Sequence, residues 1–455
     1  MEPDLAYDQI DGGSQAEPAV ARLTPHAQNT GRPITSSAKR AKAALYKPVT
    51  VDLFCGAGGL SSGFESAGLA VLAHVDNWQP AVSTLNANFS EDLEPVDVSK
   101  LTADDVRRLA GGTPDVLAGG PPCQSFTSAG PRRESDPRGT LVGAYARLAA
   151  EVRAPLVVFE NVEGFVTAGD GRFVFDLLDP LLAAGYRVAV RKINLANYGV
   201  PQHRKRVIAV ASLLGDPPFP QPTHSAWGSP GAQRVAGRPP TPTVLQALDG
   251  LPEPGCECAP QGHVLTSRPG EMEQRRIAGL RPGDTMRDLP EELWHDSYRK
   301  RAYRRVMDGT PTEQRGGAPA GLRRLYGDQP SKAITSAAVR EFVHPTADRR
   351  LTLRDAARLQ TFEDSFEFHG SATEQATLVG NAIPPRFAAA LGKALREHLI
   401  ANIEANPRQS GEGALLEFTV TNAEAMSPAL ARVVREVRDR YVAETLFASP
   451  VCEVV

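Results

Sequence analysis

The sequence predicts an α/β fold built on a Rossmann-like sheet, with a second, smaller domain toward the C-terminal end. Short β-branched apolar runs alternate with helical stretches through the first half of the chain, which is typical of βαβ units. The first of these runs leads into a glycine-rich turn followed by a helix. After about residue 214 the pattern changes to Pro, Gly, Ser and Thr, and a helical pattern returns near 350.

Composition limits the classes of protein. The 455 residues carry a formal net charge of −3 with a pI near 6.3, so any surface for nucleic acid must be local. The five scattered cysteines argue against a disulfide framework and favour a reducing cytoplasm. Because there is no run of 18 apolar residues and no signal segment, we expect a soluble intracellular protein.

The first βαβ unit predicts a nucleotide-type ligand. Residues 1–46 read as a flexible tail, and a strand at 49–54 enters a turn with Gly56, Gly58 and Gly59 before a helix to 67. Glycines let the backbone approach a ligand, and the helix N-terminus favours an anionic group. The next strand ends at Asp76, 17 residues after Gly59, which suits ribose hydroxyls. The glycine spacing departs from the nicotinamide fingerprint, so an adenosyl ligand is favoured.

A candidate nucleophile follows the predicted strand at 115–118. Two glycines and two prolines end that strand and leave Cys123 at the mouth of a loop. A thiol there can attack an electrophile if its thiolate is stabilised, or it can pack as a small hydrophobe. The loop at 124–139 carries three arginines and either closes over an anionic substrate or is an ordinary solvated loop.

Charged residues end the later strands. The strand at 155–159 leads to Glu160, on the ligand side of an open α/β sheet. Strands are also expected at 186–190 and 206–210. Between them Arg204 and Arg206 alternate, so both are expected to project to one side of an extended segment.

The segment 299–340 predicts a phosphate-facing surface, since ten basic residues stand there against three acidic ones, with Tyr303 and Tyr326 interleaved and Tyr298 directly before it. The basic residues are Arg299, Lys300, Arg301, Arg304, Arg305, Arg315, Arg323, Arg324, Lys332 and Arg340. The alternative is a solvated face whose arginines pair with acids elsewhere. Cys256, Cys258 and His263 lack a fourth ligand at zinc spacing, so no metal site is expected.

The C-terminal third returns to regular structure. Thr352 is a plausible N-cap for a helix to 360, and the segment 378–385 runs into a helix to 400. Farther on, a strand is expected at 415–421. A helix from Ser427 is expected to place Leu430, Val434, Val437 and Tyr441 on one face. That helix either packs on its own domain or docks a partner.

Six segments together resemble the bacterial type of the DNA (cytosine-5)-methyltransferase family. They are 52–59, 120–126, 160–162, 202–206, 354–360 and 380–384, in the family's order. The resemblance implies a Rossmann-like S-adenosylmethionine-dependent methyltransferase domain formed by 47–214 and 336–400. It implies a target-recognition domain at 215–335 by position only. The N-terminal tail to 46 and the C-terminal extension at 401–455 are not covered.

The resemblance also implies a reaction: methyl transfer from S-adenosylmethionine to C5 of a cytosine flipped out of duplex DNA. Cys123 would add to C6, Glu160 would contact N3 and the exocyclic amine, and Arg204 and Arg206 would orient the ring. Pro122, Gln124 and Ser125 would belong to the substrate loop, with 124–139 as a lid.

The implied cofactor contacts cluster around the glycine turn, without a metal. Phe54, Gly56, Gly58 and Gly59 would surround the methionine and adenine portions, Asp76 the ribose, Asp97 the adenine amine, and Asn381 with Ala382 the methionine end. Asp76 stands where many members have Glu. Asn77 stands where members often have a larger residue against the adenine.

The expected partner is duplex DNA, with no membrane. The expected setting is a bacterial cytoplasm, in restriction–modification or phage defence beside cognate proteins, with catalysis by a monomer. An RNA cytosine-5 methyltransferase is the first alternative, disfavoured by the long segment 215–335. A catalytically inactive DNA-binding protein is disfavoured by the intact Cys123, Glu160, Arg204 and Arg206. The glycine spacing disfavours an NAD-dependent oxidoreductase.

Overall fold

The computed structural model describes residues 46–90, 92–122, 140–265, 269–296, 298–299, 321–404, 413–420 and 426–441. The strands are β1 Val49–Leu53, β2 Ala70–Val75, β3 Val116–Gly119, β4 Leu156–Val162, β5 Arg187–Asn194, β6 Gln202–His203, β7 Lys205–Ser212, β8 Arg323–Arg324, β9 Ser331–Lys332, β10 Phe342–Val343 and β11 Ala414–Thr419. Seven of them form the central sheet in the order β11-β5-β7-β4-β3-β1-β2. Only β7 runs antiparallel to its neighbours β4 and β5. The predicted α/β, Rossmann-like sheet is therefore confirmed.

Helices cover the sheet and fill the remaining segments. They are α1 Gly59–Ser66, α2 Gln79–Phe89, α3 Ala103–Leu109, α4 Thr140–Val152, α5 Arg172–Ala183, α6 Val244–Leu248, α7 Glu271–Gly279, α8 Ala338–Glu341, α9 Leu353–Leu359, α10 Ala372–Asn381, α11 Pro385–Ala401 and α12 Pro428–Tyr441. Short 3-10 helices lie at Val98–Lys100, Glu163–Gly171, Leu195–Tyr198, Met286–Asp288 and Glu291–Leu293. The N-cap predicted for α9 is confirmed, because Thr352 accepts a hydrogen bond from the Asp355 amide.

The inner strands are buried on both faces, which explains their continuous apolar sequences. Val51, Leu53, Val116 and Leu117 are completely buried. The α1–α11 pair depends on a glycine, since a Cβ at Gly63 would lie 2.4 Å from the Ala388 Cβ. Helix α11, from the C-terminal part of the chain, thus packs directly against α1, the first helix after strand β1.

The strand register brings several chain segments to one edge of the sheet. Leu53 lies opposite Gly119, and Gly119 lies opposite Phe159. The residues that follow, at the carboxyl ends of these three parallel strands, are therefore neighbours. Open α/β sheets bind their ligands at this edge.

The segment 215–335 has its own small apolar cluster. It consists of Ile277, Leu280, Met286, Leu289, Leu293 and Leu322, together with Val343 from β10. Residues 47–455 form one compact unit, so the division into domains at 215 and 335 stays a prediction. Within the part of the chain that the structure describes, every helix is too short or too polar to cross a bilayer.

The predicted basic surface is only partly described. Residues 300–320, with Arg304 and Arg305, lie outside the described residues. Arg324 cannot face phosphates, because it is 4% exposed and its guanidinium donates to the carbonyls of Ile277 and Leu280. For this arginine the prediction was wrong: the basic pattern does not distinguish a surface cation from one that satisfies buried carbonyls.

The C-terminal extension packs on its own protein. β11 extends the sheet beside β5 in parallel, and Arg191 holds Glu417 with a bidentate contact. Helix α12 buries Val433 and Val437. Leu430, Val434 and Tyr441 pack around them only partly buried, so the face predicted from sequence lacked its central residue, Val433.

Candidate active site

A cavity of about 470 Å³ opens at the carboxyl edge of the sheet. Eight of the predicted site residues line it: Phe54, Gly56, Asp76, Pro122, Glu160, Arg206, Asn381 and Ala382. Two distant parts of the chain meet there, since the ends of β1 to β4 form one wall and the α10–α11 junction forms another. This volume lies within the range of small-ligand sites.

The turn after β1 is shaped by its glycines. Gly56 and Gly58 have φ angles of 55° and 77°, in the left-handed region. A Cβ at Gly56 would meet no atom within 4 Å, so backbone conformation alone calls for glycine there. A Cβ at Gly59 would lie 2.2 Å from the Ile383 carbonyl oxygen. Gly58 and Gly59 therefore shape the turn and its packing, and neither is among the described residues lining the cavity.

Asp76 joins the end of β2 to this turn. Its Oδ2 accepts from the Gly56 amide at 2.8 Å and its Oδ1 from the Trp78 amide at 2.9 Å. Burial raises the pKa of Asp76, while these backbone hydrogen bonds oppose the shift. Trp78 also lines the cavity. In the family, the larger residue against the adenine often stands one position earlier, where this chain has Asn77. The signal in the sequence for Trp78 was an aromatic side chain two positions after Asp76.

Asp52 is a further carboxylate in the cavity wall, in addition to Asp76 and Glu160, and sequence reasoning missed it. It is 1% exposed and accepts a hydrogen bond from Ser61 Oγ at 2.6 Å. Burial raises the pKa of Asp52 to about 6. An acidic residue inside an apolar strand was the available signal, since buried carboxylates need a specific partner.

Asp97 lies away from the cavity lining. Its Oδ1 accepts from the Ser99 hydroxyl at 2.7 Å and from the Ser99 amide at 3.0 Å, so it caps a 3-10 turn. The Ser99 hydroxyl also lowers the pKa of Asp97. The contact with an adenine amine stays a prediction, and these contacts do not favour it.

Glu160 and Arg206 form a buried pair in the cavity wall. Arg206 Nε lies 2.8 Å from Glu160 Oε1, and both side chains are about nine-tenths buried. The antiparallel register explains the contact, because Arg206 of β7 lies opposite Val162 of β4. Burial raises the pKa of Glu160, and the positive charges of Arg206 and then Arg204 oppose the shift. The pair places a carboxyl group with a raised pKa beside a fixed cation.

Backbone packing brings the strand before Cys123 against this pair. A Cβ at Gly120 would lie 3.1 Å from Glu160 Oε2, so glycine leaves the carboxylate room. Asn161 Nδ2 donates to the Pro121 carbonyl at 3.3 Å. Cys123, Gln124, Ser125 and the rest of the loop 124–139 lie outside the described residues, so the nucleophile and the lid stay predictions.

Arg204 does not share the environment of Arg206. It is 1% exposed and donates to three carbonyls, those of Ile334 at 2.7 Å, Gly380 at 2.8 Å and Ala382 at 2.9 Å. The expected extended segment is interrupted: β6 pairs with β9, and β7 pairs with β4 and β5. The alternation that would place both arginines on one side therefore does not apply, and Arg204 is not among the described cavity residues.

Two glutamine side chains near Arg204 form hydrogen bonds to the same backbone segments that Arg204 contacts. Gln202 Oε1 accepts from the Ile334 amide at 2.8 Å, and its Nε2 donates to the Gln360 Oε1 at 2.8 Å. Gln360 in turn donates to the Ala382 carbonyl at 3.3 Å. The motif segments 202–206, 354–360 and 380–384 thus meet in one buried polar cluster behind the cavity wall.

No group of three or more His, Cys, Asp or Glu side chains within the described ranges could hold a metal ion. Cys256 and Cys258 approach each other, with 2.8 Å between their sulfurs. His263 is buried and contacts Thr352 Oγ1 and the Pro252 carbonyl instead.

Comparisons with known proteins identify one family. The family model described as C-5 cytosine-specific DNA methylase matches residues 49–397. The Type II methyltransferase M.AgeI of Thalassovita gelatinovora is 31% identical over 429 residues, covering 76% of this chain and 98% of the relative. M.XorII of Xanthomonas oryzae pv. oryzae is 28% identical, covering 84% of this chain and 93% of the relative.

A solved structure supports the fold. The crystal structure described as a DNA modification methyltransferase encoded within an Escherichia coli prophage aligns with a TM-score of 0.52. It is 22% identical and covers 78% of this chain and 99% of that chain.

Proposed function

The chain belongs to the C-5 cytosine-specific DNA methylase family, and we infer from this membership that it methylates C5 of cytosine in DNA with S-adenosylmethionine as the methyl donor. The observation that carries the mechanism is the buried Glu160–Arg206 pair, which lines the same cavity as the glycine turn and Asp76. Cytosine chemistry needs a proton donor at N3, and a carboxyl with a raised pKa beside a guanidinium can provide it.

The cavity residues fit S-adenosylmethionine. The turn at Gly56 leaves open space, and Asp76 keeps lone pairs for hydroxyl donors beyond its two backbone partners. Trp78 and Phe54 supply aromatic surface, and Asn381 lies at the other wall. When bound, S-adenosylmethionine supplies an electrophilic methyl group on a positively charged sulfur.

The protein side chains prepare the cytosine. The Cys123 thiolate adds to C6 while Glu160 gives its proton to N3, which makes C5 enamine-like and nucleophilic. Arg206 stabilises the negative charge that Glu160 acquires and holds the carboxylate in place. Once C5 carries its methyl group, a water molecule takes the C5 proton, the C6–S bond breaks to release the Cys123 thiolate by β-elimination, and the N3 proton returns to Glu160.

Arg204 acts as a positioning residue in this proposal. Its guanidinium fixes the carbonyls of Gly380 and Ala382, directly beside Asn381 in the cavity wall. It therefore shapes the donor side of the site without touching the base.

We propose duplex DNA as the substrate and 215–335 as the part that recognises its sequence. The Type II names of the relatives favour a restriction–modification setting beside a cognate endonuclease, in a bacterial cytoplasm. We also propose catalysis by a monomer, because one chain supplies the described walls of the cavity.

The test is bisulfite sequencing of DNA from a host that expresses the chain. We expect 5-methylcytosine in one fixed sequence context, and none with Cys123→Ser, because a serine hydroxyl ionises far less readily than a thiol. Methyl uptake into tRNA but not DNA would overturn the proposed substrate. Full methylation by Cys123→Ser would overturn the proposed nucleophile.

A further inference from the structure

One surface loop is fastened to the active-site edge by side chains that the mechanism does not use. In the loop 223–241, the Gln233 amide donates to Asn197 Oδ1 at 3.0 Å and the Asn197 amide group donates to the Gly231 carbonyl at 3.2 Å. Thr241 Oγ1 donates to the Ala196 carbonyl at 2.7 Å. The middle of the loop and its C-terminal end are therefore held by the 3-10 helix Leu195–Tyr198.

The 3-10 helix Leu195–Tyr198, which holds the loop, follows strand β5 beside the Glu160–Arg206 pair. In the sheet, Ile193 lies opposite Arg206 and Asn194 opposite Lys205. Asn194 Nδ2 also approaches the Pro230 carbonyl, at 3.4 Å. At Pro230 the loop therefore lies against the carboxyl edge of the sheet, one register step from the arginine in the cavity wall.

The loop has an unbalanced positive charge. No Asp or Glu occurs between residues 217 and 248. Arg234 and Arg238 are exposed, and neither forms an ion pair with any residue that the structure describes. In a chain with a net charge of −3, such a segment carries a local positive charge that favours anionic ligands.

Trp227 adds an exposed aromatic ring to the same loop. It is 44% exposed, whereas Trp78 and Trp294 are partly buried. Tryptophan at such exposure leaves a large apolar face in water, which a contacting molecule can cover. Arginines without acidic partners and an exposed aromatic ring on the same loop are a combination that suits nucleic acids.

We propose that the loop 223–241 is a DNA contact beside the target base, in which Arg234 and Arg238 bind backbone phosphates and Trp227 packs against a nucleotide. The inference rests on the proposed function, because it takes DNA as the substrate. It adds which face of the protein the duplex touches: the carboxyl edge beyond β5. A cytosine that reaches Glu160 leaves its flanking phosphates at this edge, where the loop is already fixed in place.

Salt dependence of binding tests the arginines. The probe is a fluorescein-labelled duplex carrying the sequence context found by bisulfite sequencing. Arg234→Gln with Arg238→Gln should weaken binding on the order of tenfold near 0.1 M salt and reduce the slope of log K against log salt by about 0.9 per lost contact. The control is Arg108→Gln, at the end of α3 on the amino side of β3, which pairs with Asp105 on the surface.

The same variants separate binding from chemistry. With saturating duplex, kcat of the double variant should equal that of the wild type, while KM for DNA rises. An unchanged salt slope relative to Arg108→Gln overturns the phosphate contact. If the wild-type protein methylates no DNA, the proposed function is contradicted instead. Failure of the phosphate contact and failure of the proposed function are therefore distinguishable.

Tryptophan fluorescence tests the aromatic contact. Duplex binding should quench the emission of the wild type, and Trp227→Phe should remove most of that change. A full quenching signal in Trp227→Phe would assign the change to Trp78 or Trp294 and overturn the contact. Binding of a matched duplex RNA with equal affinity and quenching would overturn DNA as the specific ligand of this loop.

Discussion

Glu160 owes its chemistry to its surroundings. An exposed glutamate is ionised at neutral pH, but burial raises the pKa of Glu160. The positive charge of Arg206 opposes this shift, and the contact between the two side chains holds the carboxyl group in place. The protonated carboxyl of Glu160, which can donate to N3, therefore persists to a higher pH than the protonated carboxyl of an ordinary glutamate.

Glu160→Gln should retain the fold and lower the rate of methyl transfer about 10²–10⁴-fold, because the amide cannot give up a proton. In the wild type, the rate should fall as pH rises through the raised pKa of Glu160, since ionisation removes the donor. Glu160→Gln should lack this descending limb. The measurement is a pH–rate profile with labelled methyl donor.

The matched control for this variant is Glu163→Gln, three residues along the chain, whose carboxylate pairs with Lys192 on the surface. It should behave as the wild type. A descending limb that persists in Glu160→Gln would assign the titration to another group.

Arg204 and Arg206, two residues apart, should separate stability from catalysis. Arg204→Gln leaves buried carbonyls without donors, which costs about 1–3 kcal/mol for each unsatisfied group. We expect a loss of about 3 kcal/mol or more in the free energy of unfolding, measured with urea. Arg206→Gln should lower kcat with a smaller loss of stability. Equal losses of stability would contradict the positioning role of Arg204.

At the scale of elements, the C-terminal extension packs against the segment that follows strand β4. Helix α12 lies on the 3-10 segment Glu163–Gly171, which directly follows the strand that carries Glu160. The contact is close: a Cβ at Gly171 would lie 2.6 Å from a Val433 methyl carbon. Asp179 also receives hydrogen bonds from Arg440 and Tyr441 of this helix.

Val433→Ala should therefore lower the free energy of unfolding by about 1–2 kcal/mol, because it removes two fully buried methyl groups. Val434→Ala is the matched control, with the same chemical change at the adjacent, partly exposed position, and it should cost less than about 0.5 kcal/mol. Equal effects in urea unfolding would mean that α12 does not dock through Val433.

At the scale of the whole molecule, the cavity joins two regions far apart in the chain. One wall comes from the ends of strands β1 to β4 and the other from residues 377–383. A ligand that bridges these walls stabilises only the folded protein. Its binding should therefore raise the midpoint of global unfolding.

S-adenosylmethionine at a hundred times its Kd should stabilise the protein by about 2.7 kcal/mol. Asp76→Ala should weaken this binding by about 1–3 kcal/mol, through loss of one hydrogen-bonded group. Calorimetry and the ligand-induced shift in Tm measure both effects.

Asp97→Ala is the control for this cofactor test, since that carboxylate caps a turn away from the cavity lining. It should keep the full ligand-induced shift. A shift abolished by Asp97→Ala and retained by Asp76→Ala would reverse the two assignments.

The sequence by itself determined the sheet, the glycine turn and the residues at the strand ends. These follow from local pattern: apolar runs, left-handed glycines at Gly56 and Gly58, and the rule that parallel strands present their carboxyl ends at one edge. Glu160 and Asp76, which were singled out from their positions at strand ends, both line the cavity, and so does Pro122, which was singled out by the family resemblance; their roles stay predictions.

Only the tertiary structure decided which charged side chains face the cavity and which face the interior. Arg204 and Arg206 look alike in sequence, yet one satisfies the carbonyls of a distant turn and the other pairs with Glu160. Arg324 likewise reads as a surface cation but closes a buried hydrogen-bond network. The reason is physical: the partners of a buried cation come from segments far away in the chain, and local pattern carries no information about them.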